Sequence, residues 1–268
     1  MSGYIDIHSH ILPAIDDGPR TLGESVEMAR SYVRAGFDTV VATPHSSEGD
    51  PAPSLIMDRL YELKGELERK KITLNILPGA EQHIEPATLE RLQKGEILTL
   101  NQTRYFLLEL PFFQALPPYT EELLFNLAAS GYRPVIPHPE RVVELQKDPG
   151  LVYRLHRAGA LFQVTWGALN GCLGTTAGQF VRTMLDCNLA HFFATDAHSP
   201  NTHLLKIDEA ISALDNKAGS GSAEQMLSAR PRVLLADGEL DLPPAREPGP
   251  HSSGKPPLIA RFRRRIGR

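Results

Sequence analysis

The chain has 268 residues, with 28 Lys or Arg against 32 Asp or Glu, for a net charge of -4. That balance lacks the strong basic excess of a typical nucleic-acid binder, so no nucleic-acid partner is expected. Hydrophobic residues make up 41%, enough for a sizeable core, and the length suits one α/β barrel or two small domains.

Short apolar runs rich in β-branched residues alternate with longer amphipathic stretches. In chain order, the pattern predicts a strand over 4–8, a helix over 22–35 closed by Gly36, a strand over 38–43 and a helix over 54–70. A strand over 73–78 and another over 104–109 follow, then a helix over 118–130 ending at Gly131. Next come a strand over 133–137, a helix over 148–158 ending at Gly159, a strand over 160–165 and a helix over 174–187. A strand over 191–195 and helices over 202–214 and 222–236 complete the set. Gly36, Gly131 and Gly159 each read as a helix C-cap. Strand–helix alternation implies parallel pairing through βαβ units, and seven of them almost close a (β/α) barrel. An open doubly wound sheet satisfies the same pattern.

The composition changes near residue 240, where Leu242-Pro243-Pro244 opens a stretch rich in Pro, Gly and Ser. Such a stretch cannot bury enough apolar surface to offset its ordering entropy, so a domain over 1–239 and a disordered tail over 240–268 are expected. The tail ends in Arg261-Phe262-Arg263-Arg264-Arg265, which suits either a solvated end or a contact with anionic lipid or an acidic partner. The two cysteines, Cys172 and Cys187, cannot make a disulfide framework. The first residues lack a signal-peptide pattern, and no apolar run reaches the roughly 18 residues of a membrane span. A cytoplasmic location is the expectation.

The chemistry lies in where the metal-type side chains fall. His8 and His10 end the first strand, and alternation places them on one side, within reach of one ion. His45 follows Thr39-Val40-Val41-Ala42, Glu81 follows Ile76-Leu77-Pro78, and Glu109 ends Phe106-Leu107-Leu108. His138 follows Pro134-Val135-Ile136-Pro137, and Asp196 and His198 follow Phe192-Phe193-Ala194-Thr195. Candidate ligands thus end six predicted strands, the edge where active sites of parallel α/β folds assemble. Imidazole with carboxylate suits Zn, Mn, Fe or Co, and the lack of thiolates argues against a structural zinc.

Taken singly, each signal is weak. A His-x-His occurs by chance, and a Glu ending an apolar run can be a salt-bridge partner. His156, His191, His203 and His251 are read as surface or satisfied core residues. Asp16-Asp17-Gly18-Pro19 is by itself a turn, although beside His8 and His10 it could return a carboxylate to the ions. Arg141 could match a phosphate bidentately or make a structural salt bridge. It is the joint pattern that is informative, because unpaired charges seldom sit at buried strand ends.

The chain resembles the PHP (polymerase and histidinol phosphatase) superfamily, and within it the bacterial manganese-dependent protein-tyrosine phosphatases of capsule and exopolysaccharide loci. The resemblance rests on Asp6-Ile7-His8-Ser9-His10-Ile11-Leu12-Pro13, Asp16-Asp17-Gly18-Pro19, Ala42-Thr43-Pro44-His45 and Gly79-Ala80-Glu81. It continues through Leu108-Glu109-Leu110-Pro111, His138-Pro139-Glu140-Arg141, Gln163-Val164-Thr165 and Thr195-Asp196-Ala197-His198, in order over about residues 4 to 200. It implies a distorted seven-stranded, TIM-like β/α barrel holding three metals. His8, His10, Glu81 and Asp196 would hold one ion; Glu81, Glu109 and His138 a second; Asp17, His45 and His198 the third. Other PHP branches tend to have His where Glu109 and Asp17 stand, so these carboxylates favour the tyrosine-phosphatase branch over a histidinol phosphatase or a phosphodiesterase. The pattern departs at Ser199, where the family has Asn, and no Arg precedes Lys206 where it places one.

The reaction so implied is hydrolysis of a phosphotyrosine monoester by metal-activated hydroxide, with Arg141 on the phosphoryl oxygens. The substrate would be a protein, by resemblance the Tyr-rich tail of a tyrosine kinase linked to polysaccharide synthesis. A cysteine phosphatase needs an arginine six positions after its thiolate, but Gly178 and Phe193 stand at that spacing from Cys172 and Cys187. A purely regulatory module recruited through the tail is the third possibility, and the intact ligand set argues against it as the sole function.

Overall fold

All seven predicted apolar runs form strands, and two short strands that the pattern did not predict follow the second and third of them. A computed structural model of the protein describes residues 3–48, 50–169, 173–200 and 207–249. Its strands are β1 (Tyr4–Ser9), β2 (Phe37–Ala42), β3 (His45–Ser46), β4 (Asn75–Pro78), β5 (Glu81–His83), β6 (Tyr105–Glu109), β7 (Arg133–Pro137), β8 (Leu161–Thr165) and β9 (Phe192–Ala194). Every named pairing is parallel. They form a three-stranded sheet, β1-β2-β4, and a six-stranded sheet, β3-β5-β6-β7-β8-β9.

The named pairings form two sheets and do not close them into the expected seven-stranded barrel. The physical cause is local. Pro44 separates β2 from β3 and has no N–H to donate to a ladder. Gly79 separates β4 from β5, where a Cβ would sit 2.9 Å from Val41 Cγ1 and 3.1 Å from Leu100 Cδ2 and Thr43 Cγ2. Only glycine lets the backbone pass that close. Backbone contacts still cross the breaks, with Thr43 N donating to Ser9 O at 2.9 Å and Glu81 N to Pro44 O at 2.9 Å.

The sheets are buried on both sides, as parallel sheets are. Ile5, Ile7, Val41, Leu107, Val135, Phe192 and Ala194 pack together on one side. Phe106, Leu108, Ile136, Phe162, Val164 and Phe193 join a larger cluster with the helices. The helices include α1 (Leu22–Arg34), α2 (Pro53–Arg69), α3 (Thr88–Gln93), α4 (Thr120–Ala129), α5 (Val143–Lys147), α6 (Pro149–Arg157), α7 (Gly174–Asp186) and α8 (Ile207–Ala218). Gly36, Gly131 and Gly159 take the left-handed conformation of C-caps, with φ of 86°, 88° and 117°. The expected helix over 222–236 is α9 (Ser222–Glu224), a π-helical turn (Gln225–Ala229) and α10 (Arg230–Leu235). Pro231, which lacks an N–H, sits where the last segment begins. Residues 202–206 of the other expected helix lie outside the described residues.

Residues 240–249, assigned from sequence to a disordered tail, have no helix or strand but lie against the body. Leu240 and Leu242 pack beside the inner cluster and Ala245 beside the outer one. Arg246 N donates to Cys187 O at 2.8 Å, and Asn188 Nδ2 donates to Pro244 O at 2.9 Å. Three apolar side chains thus find cover that composition alone did not reveal. The Arg-rich stretch from Arg261 lies outside the described residues. Among those described, no helix is long and apolar enough to cross a membrane.

Candidate active site

The carboxyl ends of the strands bring all nine expected ligand residues together. Among the described residues they form four overlapping groups, each with its donor atoms within 4.8 Å of one another. The groups are His10, Asp17, His45 and His198; His8, His10 and Glu81; His8, His138 and Asp196; and His45, Glu81 and Glu109. The resemblance instead grouped His138 with Glu81 and Glu109; here His138 Nε2 lies 2.6 Å from Glu81 Oε1 and 3.9 Å from Glu109 Oε1.

Glu81 stands at the centre. It is fully buried, and its Oε2 has no hydrogen-bond partner. That oxygen lies 3.3 Å from His8 Nε2, 3.3 Å from His10 Nε2 and 3.0 Å from His45 Nδ1. His8 Nε2 and His10 Nε2 are themselves 3.2 Å apart, so the i and i+2 side chains do face one side. A buried, unpartnered carboxylate oxygen ringed by imidazole nitrogens fits divalent cations held by N and O donors.

The chain is bent to deliver these groups. His138 and Asp196 hold left-handed backbone, with φ of 33° and 51°, which non-glycine residues adopt at a cost and which clusters at functional sites. Asp196 N donates to His8 O at 3.0 Å and His10 N to Ala197 O at 3.0 Å, tying the end of β1 to the segment after β9. Below them Asp6 is fully buried and accepts from Tyr32 Oη at 2.7 Å, from Thr195 Oγ1, and from the amides of His8 and Thr195 at 3.1 and 3.2 Å. Burial pushes the Asp6 carboxyl up, and these donors pull it back. Glu140 is held up by burial in the same way, and its Oε1 accepts from Thr165 N at 2.7 Å and Thr165 Oγ1 at 2.6 Å.

The paired aspartates divide the work. Asp16 Oδ2 lies 2.7 Å from His10 Nδ1 and accepts from His45 N at 3.2 Å, while Oδ1 accepts from Gly18 N at 2.9 Å. Asp17 projects outward, 69% exposed, with Oδ1 3.2 Å from His198 Nε2 and 3.5 Å from His45 Nε2. On the other side Gln163 Oε1 lies 2.8 Å from His8 Nδ1. Asp16 and Gln163 each occupy a ring Nδ1 and so turn Nε2 of His10 and His8 toward the cluster. Gln163 and Asp6 carry no role in the sequence pattern, and Asp16 figures there only within a turn that could return a carboxylate to the ions. The signals were present, since Asp16 sits in Asp-Asp-Gly-Pro and Gln163 on a strand near its carboxyl end, but spacing does not separate a ligand from a group that orients one.

The cluster is electrostatically tense. Burial alone would lower His8, yet Glu81 and Asp196 outweigh it and lift its pKa to about 9. Burial likewise opposes a charge on His10, but Asp16, Asp196 and Glu81 raise it well above the usual imidazole value. Against its own burial, Glu81 is held well below the carboxylate range by His8, His138 and His10. His198 goes the other way, lowered by burial and by His10.

Arg141 Nη1 lies 3.2 Å from Asp196 Oδ2, and its guanidinium carbon 5.7 Å from the centroid of the Phe112 ring. The salt bridge anticipated as one alternative is present, and the same side chain lines an open pocket with Phe112, Glu109 and His198. Cys187 is far from thiolate behaviour, since burial pushes its thiol up, and its backbone is tied to Arg246.

Residues 4–236 match the family model described as capsular polysaccharide synthesis, CpsB/CapC. The chain belongs to the CpsB/CapC family. Over 233 residues it is 40% identical to the tyrosine-protein phosphatase YwqE of Bacillus subtilis strain 168, covering 86% of this chain and 91% of that one. It is 29% identical to the tyrosine-protein phosphatase CpsB of Streptococcus agalactiae serotype III, covering 86% and 98%. Among solved structures it is similar to a chain from the crystal structures of YwqE from B. subtilis and CpsB from Streptococcus pneumoniae, described as metal-dependent tyrosine phosphatases. The TM-score there is 0.84 at 38% identity, covering 91% and 98% of the two chains. A histidinol phosphate phosphatase from Lactococcus lactis shares the fold alone, with a TM-score of 0.53, 13% identity, and coverage of 82% and 95%.

Proposed function

We propose that this CpsB/CapC member is a metal-dependent protein-tyrosine phosphatase. Its substrate is phosphotyrosine on a protein, in our reading a bacterial tyrosine kinase that controls capsule or exopolysaccharide synthesis. The observation that carries the reading is the buried Glu81 carboxylate, unpartnered at Oε2 and facing three imidazoles, in a chain that shares most of its length with tyrosine phosphatases. His8, His10, Glu81 and Asp196 would hold one ion, Glu81, Glu109 and His138 a second, and Asp17, His45 and His198 a third. Mn²⁺ is the proposed metal, and Fe, Zn or Co suit the same donors. Divalent cations bound there supply Lewis acidity, acidifying water and offsetting phosphoryl charge at neutral pH.

The chain's own groups do the rest. Arg141 has more donors than its one contact to Asp196 uses, so it can also bind phosphoryl oxygens at the pocket mouth. Asp16 and Gln163 hold the rings of His10 and His8 in one orientation. The leaving phenolate is the anion of an acid of pKa roughly 10, so no strongly acidic donor is required beside it.

The two sheets are read as one distorted seven-stranded barrel of the PHP type. The parallel bridge between Ser9 and Ala197, at the ends of β1 and β9, supports this. A cytoplasmic location is proposed on the two-cysteine composition. The test of function is purified protein with Mn²⁺, offered a phosphotyrosyl peptide, histidinol phosphate and a phosphodiester. Turnover of the phosphotyrosyl peptide is expected; turnover of only the other two would overturn the reading.

A further inference from the structure

The side chains described so far serve the phosphoryl end of a substrate, and the organic end needs a surface of its own. Among the described residues lining the pocket, Phe112 is the one hydrocarbon side chain. Its neighbour Phe113 is 86% exposed, more than any other large hydrophobic residue described. A phenyl ring left so open adds little to the core, and its place beside a polar pocket calls for a different reason.

The geometry fixes Phe112 firmly. Its carbonyl accepts from Val143 N at 2.9 Å, and Leu116 N donates to Glu144 Oε2 at 2.6 Å, so the segment after β6 is pinned to α5. The Phe112 ring meets His138 at 5.1 Å and 81°, and Arg141 lies over it. Phe113 continues the surface outward, its ring 6.3 Å from that of Phe112 and nearly perpendicular. A phosphoryl group beside Arg141 therefore has the fixed Phe112 ring on one flank and a second ring beyond it.

We infer that Phe112 and Phe113 form the surface that recognises the aryl group of the substrate. Phe112 borders the phenol ring of phosphotyrosine, and Phe113 packs on that ring's outer edge and the adjoining peptide. An aryl monoester carries its ring one bond from the ester oxygen and can reach this surface, whereas a serine or glycerol ester offers only an alkyl carbon there. The inference rests on the tyrosine-phosphatase reading and names the side chains that make the site selective for aryl esters.

The test uses the Mn²⁺-loaded full chain as wild type, Phe113→Ala, Phe113→Tyr, Phe112→Leu and, as a control on exposed α4, Phe125→Ala. Each is assayed on a phosphotyrosyl peptide and on glycerol 2-phosphate. Phe113→Ala is expected to lower the ratio of the two kcat/KM values by roughly 3- to 10-fold, mainly through KM for the peptide. Phe113→Tyr restores the ratio and Phe125→Ala keeps it. Calorimetry with a peptide bearing a non-hydrolysable phosphonate in place of the phosphate should show the same factor in Kd. If wild type hydrolyses the phosphotyrosyl peptide but Phe113→Ala and Phe112→Leu keep its ratio and Kd, the recognition surface is refuted and the function stands. If wild type fails on that peptide, both fall together.

Discussion

Metal binding to this cluster should release protons, and the amount follows from the imidazoles. With His8 lifted to about 9 and His10 raised well above the usual imidazole value, both carry protons at pH 7 in the metal-free protein, and His45 is shifted in the same direction. A cation must displace them, because only the neutral ring coordinates. For His8 alone, two pH units below its pKa, the displacement costs ~3 kcal/mol at pH 7. The apparent affinity for Mn²⁺ should therefore rise about tenfold per pH unit for each proton displaced, between pH 7 and 8.5. The stability of the metal-free protein runs the opposite way. A folded-state pKa above the unfolded value near 6.5 stabilises fully below 6.5, and that stabilisation is lost as pH climbs through 9. Titration calorimetry with Mn²⁺ in two buffers of different ionisation enthalpy counts the protons directly. One to three released at pH 7 is the expected result. A binding enthalpy independent of buffer, with an affinity flat in pH, would refute the reasoning.

Three further outcomes test the supports around the cluster. Asp16→Ala or Gln163→Ala should weaken Mn²⁺ binding about 10- to 100-fold with little change in folding, read by metal titration beside circular dichroism; unchanged affinity would deny them an orienting role. Tyr32→Phe removes the hydroxyl that donates to buried Asp6 at 2.7 Å and should cost about 1–3 kcal/mol in urea unfolding, whereas no change in the midpoint would mean that Asp6 is satisfied without it. Truncation after residue 239 should lower Tm more than truncation after 249, because Leu240, Leu242 and Ala245 pack on the body; equal Tm values would show that those contacts contribute nothing.

Much of this was legible because apolar periodicity and strand-end chemistry are local. Each strand run contains its own signal, and His8, His10 and Asp196 stand at or just past the ends of their strands, while Glu81 follows β4 and opens β5. Other features depend on what another segment supplies. The break at Gly79 depends on how closely Val41 and Leu100 approach. The distinct tasks of Asp16 and Asp17 depend on His10 and His198 arriving from either side. Residues 240–249 looked too polar to order, because the backbone of Cys187 and the side chain of Asn188 that receive them lie more than 50 positions earlier. Closure of the strands into one barrel is not legible in any run's own pattern, since pairing depends on a partner strand as well.

The most direct test of the central claim is Glu81→Gln, with bound metal and turnover measured on one preparation. Glu81 belongs to two of the four donor groups and faces three imidazoles through one unpartnered oxygen. The amide keeps the shape and removes the charge. The account predicts a folded protein that retains less Mn²⁺ than wild type and hydrolyses a phosphotyrosyl peptide at least about 100-fold more slowly. A Glu81→Gln protein with wild-type metal content and wild-type turnover would contradict it.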